Sequence, residues 1–203
     1  VSLKPDYATG HYNLGNVFRD LNSLEGATES YRTAINLTPD FAEGHYNLGN
    51  TLQDLGRLED AVASYRTALR VRPNYVDVYN NLGTTFQELG KLDEALECYQ
   101  KSISLRPNDA EMHWNLALVF LLRGDWEKGW EKYGWRFKRS KNILQQHNWR
   151  NLPIKTWQGS SLNGKNIVVY AEQGVGDEIV FASCIPDLVD QSPRKIFLEC
   201  DPR

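Results

Sequence analysis

His11-Tyr12-Asn13-Leu14-Gly15 returns unchanged as His45-Tyr46-Asn47-Leu48-Gly49, 34 residues later. It comes back in altered form as Asn80-Asn81-Leu82-Gly83 and as His113-Trp114-Asn115-Leu116-Ala117. Self-similarity at a period of roughly 20–50 residues marks stacked units, each too small to bury its own apolar stripe. Working outward, Pro5, Pro39, Pro73 and Pro107 keep the 34-residue step. Ala27, Ala61 and Ala95 recur, with Gly129 in the fourth unit, and Tyr31, Tyr65, Tyr99 and Tyr133 recur without exception.

Each unit reads as two helices. The first runs from just after the proline to Leu21, Leu55, Leu89 or Leu122, and breaks at Asn22, Gly56, Gly90 or Gly124. Those are residues that adopt the left-handed conformation ending a helix. The second carries apolar residues at three- and four-residue steps, as in Leu58, Ala61, Tyr65, Ala68 and Leu69. Gly15, Gly49 and Gly83 sit inside the first helix, where glycine costs about 1 kcal/mol. Close approach of the paired helices accounts for them.

These motifs resemble the tetratricopeptide repeat family over about two thirds of the chain. The resemblance implies a mainly α fold: a right-handed solenoid of four helix-turn-helix repeats over residues 1–139, at about 5–38, 39–72, 73–106 and 107–139. It also implies that the residue before each Leu-Gly pair faces a concave groove. Here that residue is Asn13, Asn47, Asn81 and Asn115. An asparagine amide has donors and an acceptor, so it can pair with both sides of an extended peptide backbone. The row is similar to the asparagine ladder of the O-linked N-acetylglucosamine transferases. The same amides could instead stabilise the repeats through interhelix bonds, and pattern alone leaves both readings open.

Tyr12, Tyr46, Asn16 and Asn50 are further groove candidates, flanked by Arg19, Asp20, Gln53, Asp54, Thr84, Gln87 and Glu88, with Glu43, Asp77 and Glu111 expected nearby. The Lys/Arg clamp with which chaperone-binding members hold a carboxylate is missing. Residues 1–122 hold 10 basic and 16 acidic residues, a net of −6, which repels nucleic acid and favours neutral or basic partner segments. The expected partner is therefore a protein or peptide. In the fourth repeat the groove positions become Leu118, Leu121 and Leu122. Bare leucines would form a costly patch, so they are expected to be covered, by the segment after the repeat or through self-association.

All six tryptophans lie between Trp114 and Trp157, and residues 123–150 carry eight basic and three acidic side chains. Basic and aromatic residues together can bind single-stranded nucleic acid. The helical spacing of Trp126, Trp130, Tyr133 and Phe137 favours packing inward or against the next domain. Residues 140–162 read as a Trp-rich linker.

From Lys165 the pattern changes. A β-branched run from Asn166 to Ala171, a Gly174-Val175-Gly176-Asp177 turn, an amphipathic stretch and a second run from Lys195 to Cys200 suggest one incomplete β-α-β unit over residues 163–203. The turn suits an anionic or sugar ligand at Gly174 and Gly176; Asp177 could simply cap the helix. Residues 157–165 and 171–182 resemble the start of a heptosyltransferase-like glycosyltransferase domain in bacterial tetratricopeptide proteins. That resemblance implies Asp177 as the general base of a longer, nucleotide-sugar-dependent enzyme. Lacking the second half of such a fold, these 203 residues are expected to need no cofactor and to be inactive in transfer.

Composition sets the outer bounds. The chain carries a net charge of −3, with 41% hydrophobic and 24% charged residues, which excludes a disordered, collagenous or coiled-coil protein. Cys98, Cys184 and Cys200 are too sparse for a disulfide framework or zinc-finger spacing, so no metal is expected and a reducing, cytoplasmic setting fits. The longest apolar run, Leu116–Leu122, is seven residues, against the roughly 20 a bilayer needs. Val1 in place of Met, and an end just past an apolar run, suggest a piece of something longer.

Overall fold

The computed structural model describes residues 7–138, 161, 163, 165–170, 189–190 and 192–199. Residues 1–138 and 139–203 form two separate compact units. In the first, eight α-helices pair into four hairpins: α1 (Ala8–Asp20) with α2 (Leu24–Leu37), α3 (Ala42–Asp54) with α4 (Leu58–Val71), α5 (Val76–Glu88) with α6 (Leu92–Leu105), and α7 (Ala110–Leu122) with α8 (Trp126–Tyr133). A 3₁₀ turn, Gly134–Lys138, comes directly after α8. Each hairpin packs on the next through its second helix, α2 on α3, α4 on α5 and α6 on α7.

The hairpin turns are set by four residues in the register. Asn22, Gly56, Gly90 and Gly124 have φ of 57°, 71°, 72° and 85°. The residue after each donates its N–H five residues back, as Arg57 does to Leu52 O at 2.8 Å and Lys91 to Phe86 O at 2.8 Å. This closes the helix end by a 6→1 bond.

The core repeats as faithfully as the turns. Tyr31, Tyr65 and Tyr99 are fully buried, ringed by Ala27, Ala61, Ala95, Leu48 and Leu82. A β-carbon on Gly15, Gly49 or Gly83 would lie 2.6, 2.5 or 2.8 Å from the tyrosine ring of the same hairpin. The glycine is therefore a seat for the ring, and its helix-propensity penalty is offset by burial of a whole phenol.

The fourth hairpin differs from what its sequence suggested. Trp126 and Trp130 do not pack inward: they are 62% and 54% exposed. The ring cluster forms instead from Trp114 and Trp130 against Tyr133, each at 4.8 Å, and Trp135 stacked on His113 at 3.9 Å. Nor are the three leucines uniformly covered. Leu122 is 62% exposed, whereas Leu118 and Leu121 are half-buried. Leu121 lies against the α8 backbone, where a β-carbon on Gly129 would meet its Cδ2 at 2.5 Å. Glycine in place of alanine at this register position makes that room.

In the second unit two strands, β1 (Asn166–Tyr170) and β2 (Lys195–Glu199), pair in parallel, from Asn166 opposite Lys195 to Tyr170 opposite Glu199. A parallel pair requires a crossover of a dozen or more residues. Its course, the glycine turn and the 140–162 linker fall almost wholly outside the described residues.

Candidate functional site

The asparagine row lies along the first helices of the hairpins, where it makes bonds the sequence left undecided. Asn47 Nδ2 donates to Tyr12 Oη at 2.9 Å and to Asn16 Oδ1 at 3.1 Å. One repeat on, Asn81 Nδ2 donates to Tyr46 Oη at 3.2 Å and to Asn50 Oδ1 at 2.8 Å. The same Asn16 and Asn50 oxygens accept from Tyr31 and Tyr65 hydroxyls, both at 2.7 Å. The first and second repeats thus each offer the next an acceptor pair, and the next repeat's asparagine fills both. Both N–H groups of Asn47 and of Asn81 are spent in this way. The expected two-sided pairing with a peptide backbone therefore gives way to acceptor-only capacity at these two positions, through Oδ1.

The ends of the row behave differently. Asn115 Nδ2 has one partner, Asn80 Oδ1 at 3.1 Å, because α5 carries Asn80 and Thr84 where α3 carries Tyr46 and Asn50. Asn13 is exposed, and no side-chain bond to it is made among the described residues. Asn47, by contrast, is only 8% exposed. Tyr12 and Tyr46 are half-buried, their rings 4.9 Å from Phe41 and 5.2 Å from Tyr75.

Burial pushes Tyr31 and Tyr99 up to about 12 and moves Tyr65 higher still. These hydroxyls therefore remain protonated donors at any physiological pH. Tyr99 shares a 3.1 Å bond with Thr84 and donates to Gln87 Oε1 at 3.4 Å. The tyrosine hydroxyls were absent from the sequence-derived site, although their unbroken 34-residue register was the signal that they belong to it.

A cavity of about 260 Å³ opens at the α3–α5 step, lined by Asn50, Gln53, Asp54, Asn81 and Thr84. Water occupies about 30 Å³ in the liquid, so this space can take a side chain. Gln53 Nε2 donates to Glu88 Oε1 at 2.8 Å across the step. Glu43 and Asp77, expected as further groove groups, are engaged elsewhere: Arg72 pairs with Glu43, and Arg106 with Asp77 at 2.8 Å, tying hairpin ends together. Burial raises the Glu43 carboxyl, but the Arg72 hydrogen bond and charge and a backbone bond outweigh it and hold the group below the ordinary range.

Burial pushes the Cys98 thiol up to about 12, which keeps it protonated and poorly nucleophilic. Among the described residues no group of three or more His, Cys, Asp or Glu could hold a metal ion. No helix there is long and apolar enough to cross a membrane. Asp177, Gly174 and Gly176 lie outside the described residues.

Comparison with known proteins agrees with this geometry. Residues 15–56 match the family model described as TPR repeat, and residues 40–108 match that described as Tetratricopeptide repeat. Residues 15–108 therefore carry tetratricopeptide repeats. Among individual proteins, the chain is 36% identical over 63 residues to Protein FlbA of Caulobacter vibrioides. The match covers 31% of this chain and only 10% of FlbA, so the chain spans about a tenth of that relative's length. Among solved structures it is similar to MamA, with a TM-score of 0.66 and 22% identity over 71% of this chain and 84% of that one. It is also similar to YrrB, described as a TPR protein with an unusual peptide-binding site: TM-score 0.62, 21% identity, 71% and 75% coverage. A third is the first TPR of Spaghetti (RPAP3) bound to the HSP90 peptide SRMEEVD: TM-score 0.57, 20% identity, 58% and 93% coverage. At such identities the likeness is one of fold.

Proposed function

We propose that the helical unit is a protein-interaction scaffold that seats an extended peptide or protein segment along the face of α1, α3, α5 and α7. The observation carrying this reading is the cavity at Asn50, Gln53, Asp54, Asn81 and Thr84, set beside a file of amide oxygens. Asn81, which keeps partial exposure, would accept a backbone N–H bond from the segment, netting about 0.5–1.5 kcal/mol. The two similar folds whose descriptions mention peptides support such a use of the face. Selecting an extended-peptide library on the purified protein, then measuring the selected peptide against Thr84→Trp and Gln53→Trp, tests this. Both variants should fold, by circular dichroism, and weaken binding by about tenfold or more. Plugs without effect, or a library that yields no binder, would remove the groove.

A second reading, favoured by the parallel pairing of β1 and β2, keeps the scaffold as the substrate-recruiting part of a longer glycosyltransferase. Asp177 would be its base and a nucleotide-sugar its donor. Asp177→Asn in the full-length protein should then cut turnover by about 10²–10⁴.

A further inference from the structure

We propose that the segment this groove takes is cationic: an extended chain that places an arginine or lysine side chain between Asp54 and Glu88. The proposal rests on the groove reading above and names the chemistry of its ligand.

Charge on the groove helices is lopsided. Arg19 is the single Lys or Arg in α1, α3, α5 and α7, against Asp20, Glu43, Asp54, Asp77, Glu88 and Glu111. Of these carboxylates, Glu43 and Asp77 are already matched by Arg72 and Arg106 at the hairpin ends. The carboxylates beside the cavity are not matched. Among the described residues the ion pairs are Arg57–Asp60, Arg72–Glu43, Arg106–Asp77, Arg123 with Asp93 and Asp125, and Lys132–Glu131. None includes Asp20, Asp54 or Glu88.

Geometry puts two of these three groups at one place. Asp54 lines the cavity, and Glu88 is drawn to its rim by the 2.8 Å bond from Gln53. Both act on the buried Tyr65 hydroxyl, where burial is the larger influence and the two carboxylates push the same way. A guanidinium or ammonium entering between them forms charge-assisted bonds, each stronger than a neutral one. Its apolar stem fills the space above Thr84 and Asn81. A carboxylate-bearing segment meets only repulsion. Asp54 and Glu88 are exposed, so the preference should be moderate and salt-sensitive.

The test uses fluorescein-labelled Gly-Ser-Arg-Gly-Arg-Ser-Gly and its analogues with serine or glutamate in place of both arginines, read by anisotropy. At about 0.05 M salt the arginine peptide should bind about tenfold tighter than the serine peptide, and the glutamate peptide not at all. The preference should fade at about 0.5 M salt. Asp54→Lys should erase it. Glu97→Lys, the same charge change at an exposed site on α6, should leave it in place. Equal binding of arginine and serine peptides would overturn the charge assignment while leaving the groove intact. Equal loss in Asp54→Lys and Glu97→Lys would reduce it to bulk charge and overturn it too. Failure of all three peptides to bind would take away the groove reading itself.

Discussion

The second and fourth repeats share one hairpin and differ on the face that meets their neighbours. In the second, Tyr46 and Asn50 hold out two oxygens, and Asn81 of the third repeat fills both. In the fourth, the same positions are Trp114 and Leu118. An indole only donates and a leucine does neither, so this repeat offers no acceptor pair of that kind. Its cohesion comes from rings instead: Trp114 on Tyr133, and His113 on Trp135. These two hairpins thus show two separable instructions. Glycine, alanine and tyrosine fold the hairpin; a tyrosine–asparagine pair stacks the next one on it.

The strongest way to break this comparison is alkaline pH. Tyr31 and Tyr99 are pushed up to about 12, by burial first, and Tyr65 is raised as well. In the unfolded chain a tyrosine ionises near 10. Their contribution is therefore complete below about pH 10 and is lost as pH rises toward about 12. Thermal melts followed by circular dichroism should hold their midpoint to about pH 9.5 and then fall steeply. Tyr99→Phe should make the fall shallower. A midpoint unchanged through pH 11 would mean that the phenols are not held protonated by the fold.

The asparagine row gives a graded test. Asn81→Ala removes two partly buried inter-repeat bonds and should cost about 2 kcal/mol. Asn47→Ala should match it. Asn115→Ala removes one bond, for about 1 kcal/mol, and Asn13→Ala should change stability by less than about 0.5 kcal/mol. Urea unfolding measures all four. Equal costs along the row would show that the asparagines act through local helix effects, not through stacking.

Much of this was legible from the chain. A 34-residue period, a tyrosine against a glycine, and a left-handed residue at each turn are local facts with one physical solution, and the helical unit is that solution. What the amides do was not legible, because Asn47 meets Tyr12 and Asn16 at separations of 35 and 31 residues. A single-residue pattern states that an amide is present, not which way its N–H groups turn. A groove role alone predicts that substituting Asn47 and Asn81 touches binding only; their bonds make stability the first thing to change. The exposure of Trp126 and Trp130 was hidden for a related reason. Helical spacing shows that two side chains share a face, but whether anything covers that face depends on elements outside the helix.

The smallest effect should come from the feature most easily drawn as a clamp. Arg106 meets Asp77 at 2.8 Å, and Arg72 meets Glu43, each joining the end of one helix to the start of its hairpin partner. All four side chains keep between 37% and 50% of their exposure. In that setting solvent screens the attraction, and ordering two long side chains offsets much of the rest. A double-mutant cycle on Arg106→Ala and Asp77→Ala should give a coupling of about 0.5 kcal/mol, shrinking in high salt. Removal of the half-buried Asn81 amide should cost several times more, since it strands an acceptor pair between two packed helices. If the ion-pair coupling instead exceeded the asparagine cost, charge at the hairpin ends would be the stronger restraint, and the amide–phenol chain would lose its place as the link between repeats.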